Sequence, residues 1–208
     1  MKNGIGKRID ECFNKVKKGD GENAFIQLSL AIEGTSRLAY PNIKSSAQRN
    51  KQFIKDSMPF VFWSLTNGTP THSKSFSIVS NIDGHEKEVT LEDVMYKLLR
   101  CSLVHEATMP DEVEFVNAKI IAVSKDGKIS LPLALIISYC WAVIANPVNK
   151  GELLERNFLM SMYGSKTLYN LNNCWGNEEK LRSIVRKGFL YDVEKMLQEM
   201  NQNTDNKV

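Results

Sequence analysis

A mainly helical protein carrying one or two small β-hairpins is the fold class this sequence predicts, on three observations. Apolar residues recur at helical spacing through the first 65 positions. The stretch Leu131–Ala145 is almost continuously apolar. Two turn signals, Asp83-Gly84 and Lys125-Asp126-Gly127-Lys128, each separate a pair of short β-prone runs. A chain of 208 residues can bury a core as one domain, assigned to 1–200, with 201–208 a polar, disordered tail.

The first helix is predicted from Ile5, Ile9, Cys12, Phe13 and Val16, which fall on one stripe, while Lys7, Arg8, Lys15, Lys17 and Lys18 make a solvated face. Gly19-Asp20-Gly21 breaks it, and Asp20 can cap the next helix. That second helix spans about 22–39 on the stripe Phe25, Leu28, Ile32, Thr35 and Ala39, and Pro41 follows it. Glu33 and Arg37 stand four residues apart on it and are expected to pair. The short connection favours an antiparallel helix pair. A third helix is predicted over 45–65, its second half unusually apolar through Met58, Phe60, Val61, Phe62 and Trp63.

Further on, Phe76-Ser-Ile-Val and His85–Val89 flank the Asp83-Gly84 turn of the first hairpin. Thr90 opens the next helix, with Asp93 three residues later in a variant of the capping box. The second hairpin joins 118–123 to 129–131, and Ser130 is expected to cap the apolar helix beginning near Pro132. Two or more helical segments are expected between Gly151 and about Met200, with Trp175 packed beneath a turn at Asn170–Gly176.

Composition narrows the function. The 42% apolar and 25% charged content is that of a globular protein, and a net charge of +3 is too small for a dedicated duplex-DNA binder. The four cysteines, Cys12, Cys101, Cys140 and Cys174, form no CxxC pair and no zinc spacing; Cys12 and Cys140 fall in apolar stripes. No metal or cofactor is expected. The N-terminus lacks an apolar signal core, and Leu131–Ala145 is shorter than the about 20 residues that span a bilayer. A cytoplasmic protein with no membrane association is therefore expected. Nucleotide-binding and hydrolase motifs such as GxGxxG, the P-loop and GxSxG are absent.

Of the three histidines, His72 and His85 have no carboxylate or cysteine nearby at ligand spacing. His105 follows Arg100 on a predicted helix whose buried stripe is Leu91, Val94, Met95, Leu98 and Leu99. Five residues correspond to about 140° around an ideal α-helix, so the two side chains do not share a face of a straight one. They converge only if the helix distorts or ends there, or if a second copy of the chain supplies one of them. Taken alone, Arg100 also reads as a surface ion-pair partner, and His105 as a cation at a helix C-terminus.

The run Asp93-Val-Met-Tyr-Lys-Leu-Leu-Arg-Cys-Ser-Leu-Val-His-Glu-Ala resembles the motif helix of HEPN (higher eukaryote and prokaryote nucleotide-binding) domains, whose signature is Arg, four to six variable residues, then His. The upstream stretch from Gly19 to Pro41 is similar to an early helix of those bundles. The resemblance implies a HEPN-like helical bundle that forms homodimers and acts as a metal-independent endoribonuclease, as a toxin or phage-defence effector. RNA would be the substrate, and an antitoxin or regulatory protein a further partner. The alternative it leaves open is a non-catalytic module that binds RNA, a nucleotide or a protein. Carried onto this chain, Arg100 and His105 are the catalytic pair, with Ser102, Glu106, Glu33 and Arg37 as supporting residues. Cys101 stands where the family often has a polar residue. The chemistry suits the pair: His105 can move a proton near neutral pH, and Arg100 can hold a phosphoryl group through two donors.

Overall fold

The computed structural model describes residues 4–66, 76–82, 85–106, 109–118, 120–156, 158–160 and 168–187; at 80–82, 85–87, 98, 99, 102, 104–106 and 160 only the backbone is described. Helix α1 (Gly4–Lys17) buries Ile5, Ile9 and Cys12, and Gly19 turns the chain with a φ of 73°. Helix α2 (Gly21–Ala39) begins where the Asp20 carboxylate accepts the backbone N–H of Asn23 at 3.2 Å. Helix α3 (Ser46–Leu65) starts in the same way, the Ser45 hydroxyl accepting from Gln48. These caps satisfy donors that a helix N-terminus otherwise leaves unpaired.

Strands β1 (Ser77–Ile82) and β2 (His85–Thr90) pair antiparallel, with Ile82 opposite His85; the Asp83-Gly84 turn itself lies outside the described residues. Thr90 caps a short turn, α4 (Leu91–Asp93), that continues as a π-helix over Val94–Glu106. Strands β3 (Val113–Val116), β4 (Ala122–Val123) and β5 (Ile129–Pro132) form a sheet in the order β3-β5-β4, and β5 runs straight into helix α5 (Leu133–Ala145).

The β4–β5 hairpin is the second one expected, but its parallel neighbour β3 was not foreseen. Ser130 is not a cap either. It sits inside β5 and donates its hydroxyl to Glu114 at 2.7 Å, while Pro132 precedes α5 without any side-chain cap. The fold is thus mainly helical with small sheets.

Helix α2 occupies the centre, packed by α1, α3, α5 and the π-helix. Phe25 and Leu28 of α2 meet Phe53 and Met58 of α3 and Leu135 and Tyr139 of α5 in one continuous buried cluster. Each such side chain contributes about 2 kcal/mol by leaving water. Cys140 donates its S–H toward the Cys12 sulfur at 3.4 Å, and burial pushes its thiol pKa up, so both behave as the small hydrophobes expected of them.

Beyond Gly151 the expectation of helix fails at first. Residues 152–156 are neither helix nor strand and lie against α1: the Glu152 carboxylate accepts the Gly6 N–H at 2.9 Å, and Asp10 accepts the Arg156 N–H at 2.9 Å. Strands β6 (Leu159–Met160) and β7 (Tyr169–Asn170) then pair antiparallel. Helix returns as a short 3-10 turn at Leu171–Cys174 and then at 178–187, the latter burying Leu181, Ile184 and Val185. Trp175 is buried and donates its indole N–H to Asn172 at 3.3 Å, packed as expected beneath its turn. The expected tail at 201–208 and His72 lie outside the described residues.

Candidate functional site

Arg100 is the best-placed of the sequence-predicted residues. Its guanidinium donates from Nη2 to Glu33 Oε2 at 2.5 Å, and the Arg100 side chain keeps only 12% of its exposure. On the other side its Cζ lies 5.2 Å from the centre of the Tyr96 ring, one turn earlier on the same helix. A carboxylate and an aromatic face therefore hold one guanidinium, which restricts its orientation.

Glu33 answers to Arg100 rather than to Arg37. No ion pair joins Glu33 to Arg37 among the described residues, and Arg37 is exposed. The i,i+4 spacing allowed the expected pair, but Arg100 approaches from a packed helix and is largely covered, so its ion pair is the less screened of the two.

The π-helix changes the geometry foreseen for the motif. A π-helix hydrogen-bonds each residue to the one five further on. The backbone of Val94–Glu106 therefore returns position 105 toward the side that carries position 100, as i+4 returns on an α-helix. The helix therefore departs from α geometry over the motif itself. The side chains of Ser102, His105 and Glu106 lie outside the described residues.

Three participants were missed. Lys51 of α3 bonds Asp93 at 2.5 Å and sits 5.8 Å from the Tyr96 ring; Lys97 approaches Asp93 at 3.8 Å. Tyr96 was findable, four residues before Arg100 on a helix. Lys51 was not, since 42 residues separate it from Asp93. Half of the expected capping box is present, the Asp93 backbone N–H donating to the Thr90 hydroxyl at 3.3 Å, but the Asp93 carboxylate turns to Lys51 in place of reaching back to the cap.

Burial alone would raise the pKa of the Asp93 carboxyl, but the hydrogen bond and charge of Lys51 outweigh it and hold the group below the usual carboxylate range. A depressed folded-state pKa contributes stability above the unfolded value of about 3.9, and this is lost as pH falls through the folded one. Asp93→Asn is therefore expected to be less stable than the wild type at pH 7. Urea melts at pH 7 and pH 3 should show the gap closing at the acid end; a constant gap would dissociate it from this ion pair.

Glu33 also lines a groove of about 460 Å³ between α1 and α2, with Arg8 and Arg37 among its walls. A second cleft, about 410 Å³, is walled by Asp20, Glu22, Asp111 and Glu114 with Lys128, and so disfavours an anion. Among the described residues no cluster of His, Cys, Asp and Glu could hold a metal ion, and no helix is long and apolar enough to cross a membrane.

Residues 4–203 match the Rv1289 family, and the chain belongs to that family. It is similar to "Uncharacterized protein Rv1289" of Mycobacterium tuberculosis (strain ATCC 25618 / H37Rv), 24% identical over 186 residues covering 87% of each chain. It is equally similar to "Uncharacterized protein Mb1320" of Mycobacterium bovis, with the same identity and coverage. No solved structure matches the chain.

Proposed function

We propose that this member of the Rv1289 family is a metal-independent endoribonuclease of HEPN type, working as a homodimer with Arg100 and His105 as its catalytic pair. The observation that carries the reading is the Arg100 guanidinium held between Glu33 and Tyr96, on a π-helix whose ladder brings position 105 back toward it. In the reaction, an RNA 2′-hydroxyl loses its proton and its oxygen attacks the adjacent phosphorus. The bond to the 5′-oxygen breaks, and that oxygen takes up a proton, leaving a 2′,3′-cyclic phosphate. His105 carries these protons, since an imidazole can both accept and donate one near neutral pH. Arg100 stabilises the charge that grows on the phosphoryl oxygens. A role as a toxin or in phage defence, with an antitoxin or regulatory partner, follows from the HEPN resemblance alone.

A second reading has its own support. Arg100 is already ion-paired, which suits a module that binds RNA, a nucleotide or a protein without cutting. Incubation of the purified protein with total RNA and a chelator separates the two. Cleavage by the wild type, absent in Arg100→Ala and His105→Ala, is the expected result. RNA bound but left whole by the wild type would favour the binding module. Equal cleavage by all three proteins would overturn the assignment of the pair. Light scattering on the wild type is expected to return the mass of a dimer.

A further inference from the structure

We infer that the groove between α1 and α2 is a path for single-stranded RNA, with Arg8 and Arg37 neutralising phosphates of the strand whose cleaved linkage lies at Arg100. The inference rests on the proposed nuclease reading and deepens it. Because Glu33 bonds Arg100, Arg37 is left exposed at the groove with no ion pair or hydrogen bond among the described residues. Arg8, on the opposing helix, is exposed and among the described residues donates only to the neutral side-chain amide of Gln27, at 3.1 Å. Two guanidiniums with no carboxylate partner among the described residues thus line one groove.

The acids in the groove do not cancel them. Glu33 is matched by Arg100, and Glu152 is buried with Oε2 committed to the Gly6 N–H. With Glu33 matched from outside the groove by Arg100, the two guanidiniums of the lining face one unmatched carboxylate, Glu152. Its floor is apolar, through Ile5, Leu30 and Leu38, with Gly34 presenting no side chain over it. That combination suits a strand with charged phosphates at the rim and flat bases against a greasy surface. Arg37 stands one helical turn from Glu33, so the groove is continuous with the carboxylate that orients Arg100.

The test uses full-length His105→Ala protein, which binds without cutting on the nuclease reading, and a fluorescent oligouridine titrated across a range of salt concentrations. Each phosphate contact on a single strand adds about 0.7 to the slope of log affinity against log salt. Adding Arg8→Ala and Arg37→Ala is expected to reduce that slope by about 1.4 and weaken binding roughly tenfold at low salt, with the melting temperature retained. An unchanged slope, or no binding of oligouridine at all, would overturn the inference. Arg100-dependent cleavage alongside an unchanged slope would remove the path and leave the nuclease. Two-arginine-dependent binding without cleavage by the wild type would keep the path and remove the nuclease. Polyglutamate bound through the same arginines in place of oligouridine would assign the groove to an acidic protein segment and overturn the RNA path.

Discussion

Gly6→Ala is expected to lower the unfolding free energy by about 3 kcal/mol or more, a large loss for a single methyl group. A Cβ at this position would stand 2.0 Å from the carbonyl oxygen of Leu153 and 2.8 Å from its carbonyl carbon. These are backbone atoms that cannot swing aside as a flexible side chain would. Relief requires the 152–156 segment to lift from α1, which also weakens the Glu152 bond to the Gly6 N–H, worth about 1 kcal/mol. Gly4→Ala is the control. Nothing lies within 4 Å of a Cβ there, so its effect should stay within about 0.5 kcal/mol. Urea melts of the three proteins check this, and equal midpoints would mean that the 152–156 segment does not clamp the helix.

The second large effect lies at the motif. Glu33→Ala should cost about 2 kcal/mol, since it strands a guanidinium that retains 12% exposure. The estimate sits below the usual cost of breaking a fully buried pair because Glu33 itself keeps 37% of its exposure, and water screens the contact. Arg100→Leu in the same background removes the stranded charge and should restore part of the loss. A double-mutant cycle on melts of the four proteins measures the coupling, and strictly additive losses would mean that the pair contributes nothing. Under the proposed function, Glu33→Ala should also slow RNA cleavage, because Arg100 would then lose the carboxylate that orients it and keep the Tyr96 ring.

Much of the helical frame was legible from local signals. Asp20, Ser45 and Thr90 cap where their side-chain oxygens meet a backbone N–H three residues on, a relation contained within four residues of chain. The stripes of α1 and α2 and the apolar run of α5 were readable for the same reason, because a period of 3.6 needs only neighbours. The first hairpin followed from its turn residues. The third strand of the β3-β5-β4 sheet was not readable, since parallel pairing is not announced by any turn. The irregular run at 152–156 was missed because it is held by Gly6 and Asp10, each 146 residues from its partner.

The motif divides along the same line. From the sequence alone came the two residue types, their five-residue spacing, and the requirement that an ordinary α-helix could not unite them. The tertiary structure decided that the motif segment is a π-helix packed against α2, and which cation Glu33 holds. The physical reason is range. Capping, periodicity and turn chemistry act between residues a few positions apart, so they are written in the order of the chain. The partner of a carboxylate is chosen among every cation that folding brings within reach, and here folding delivered Arg100 from 67 residues away in preference to Arg37, one turn along the helix.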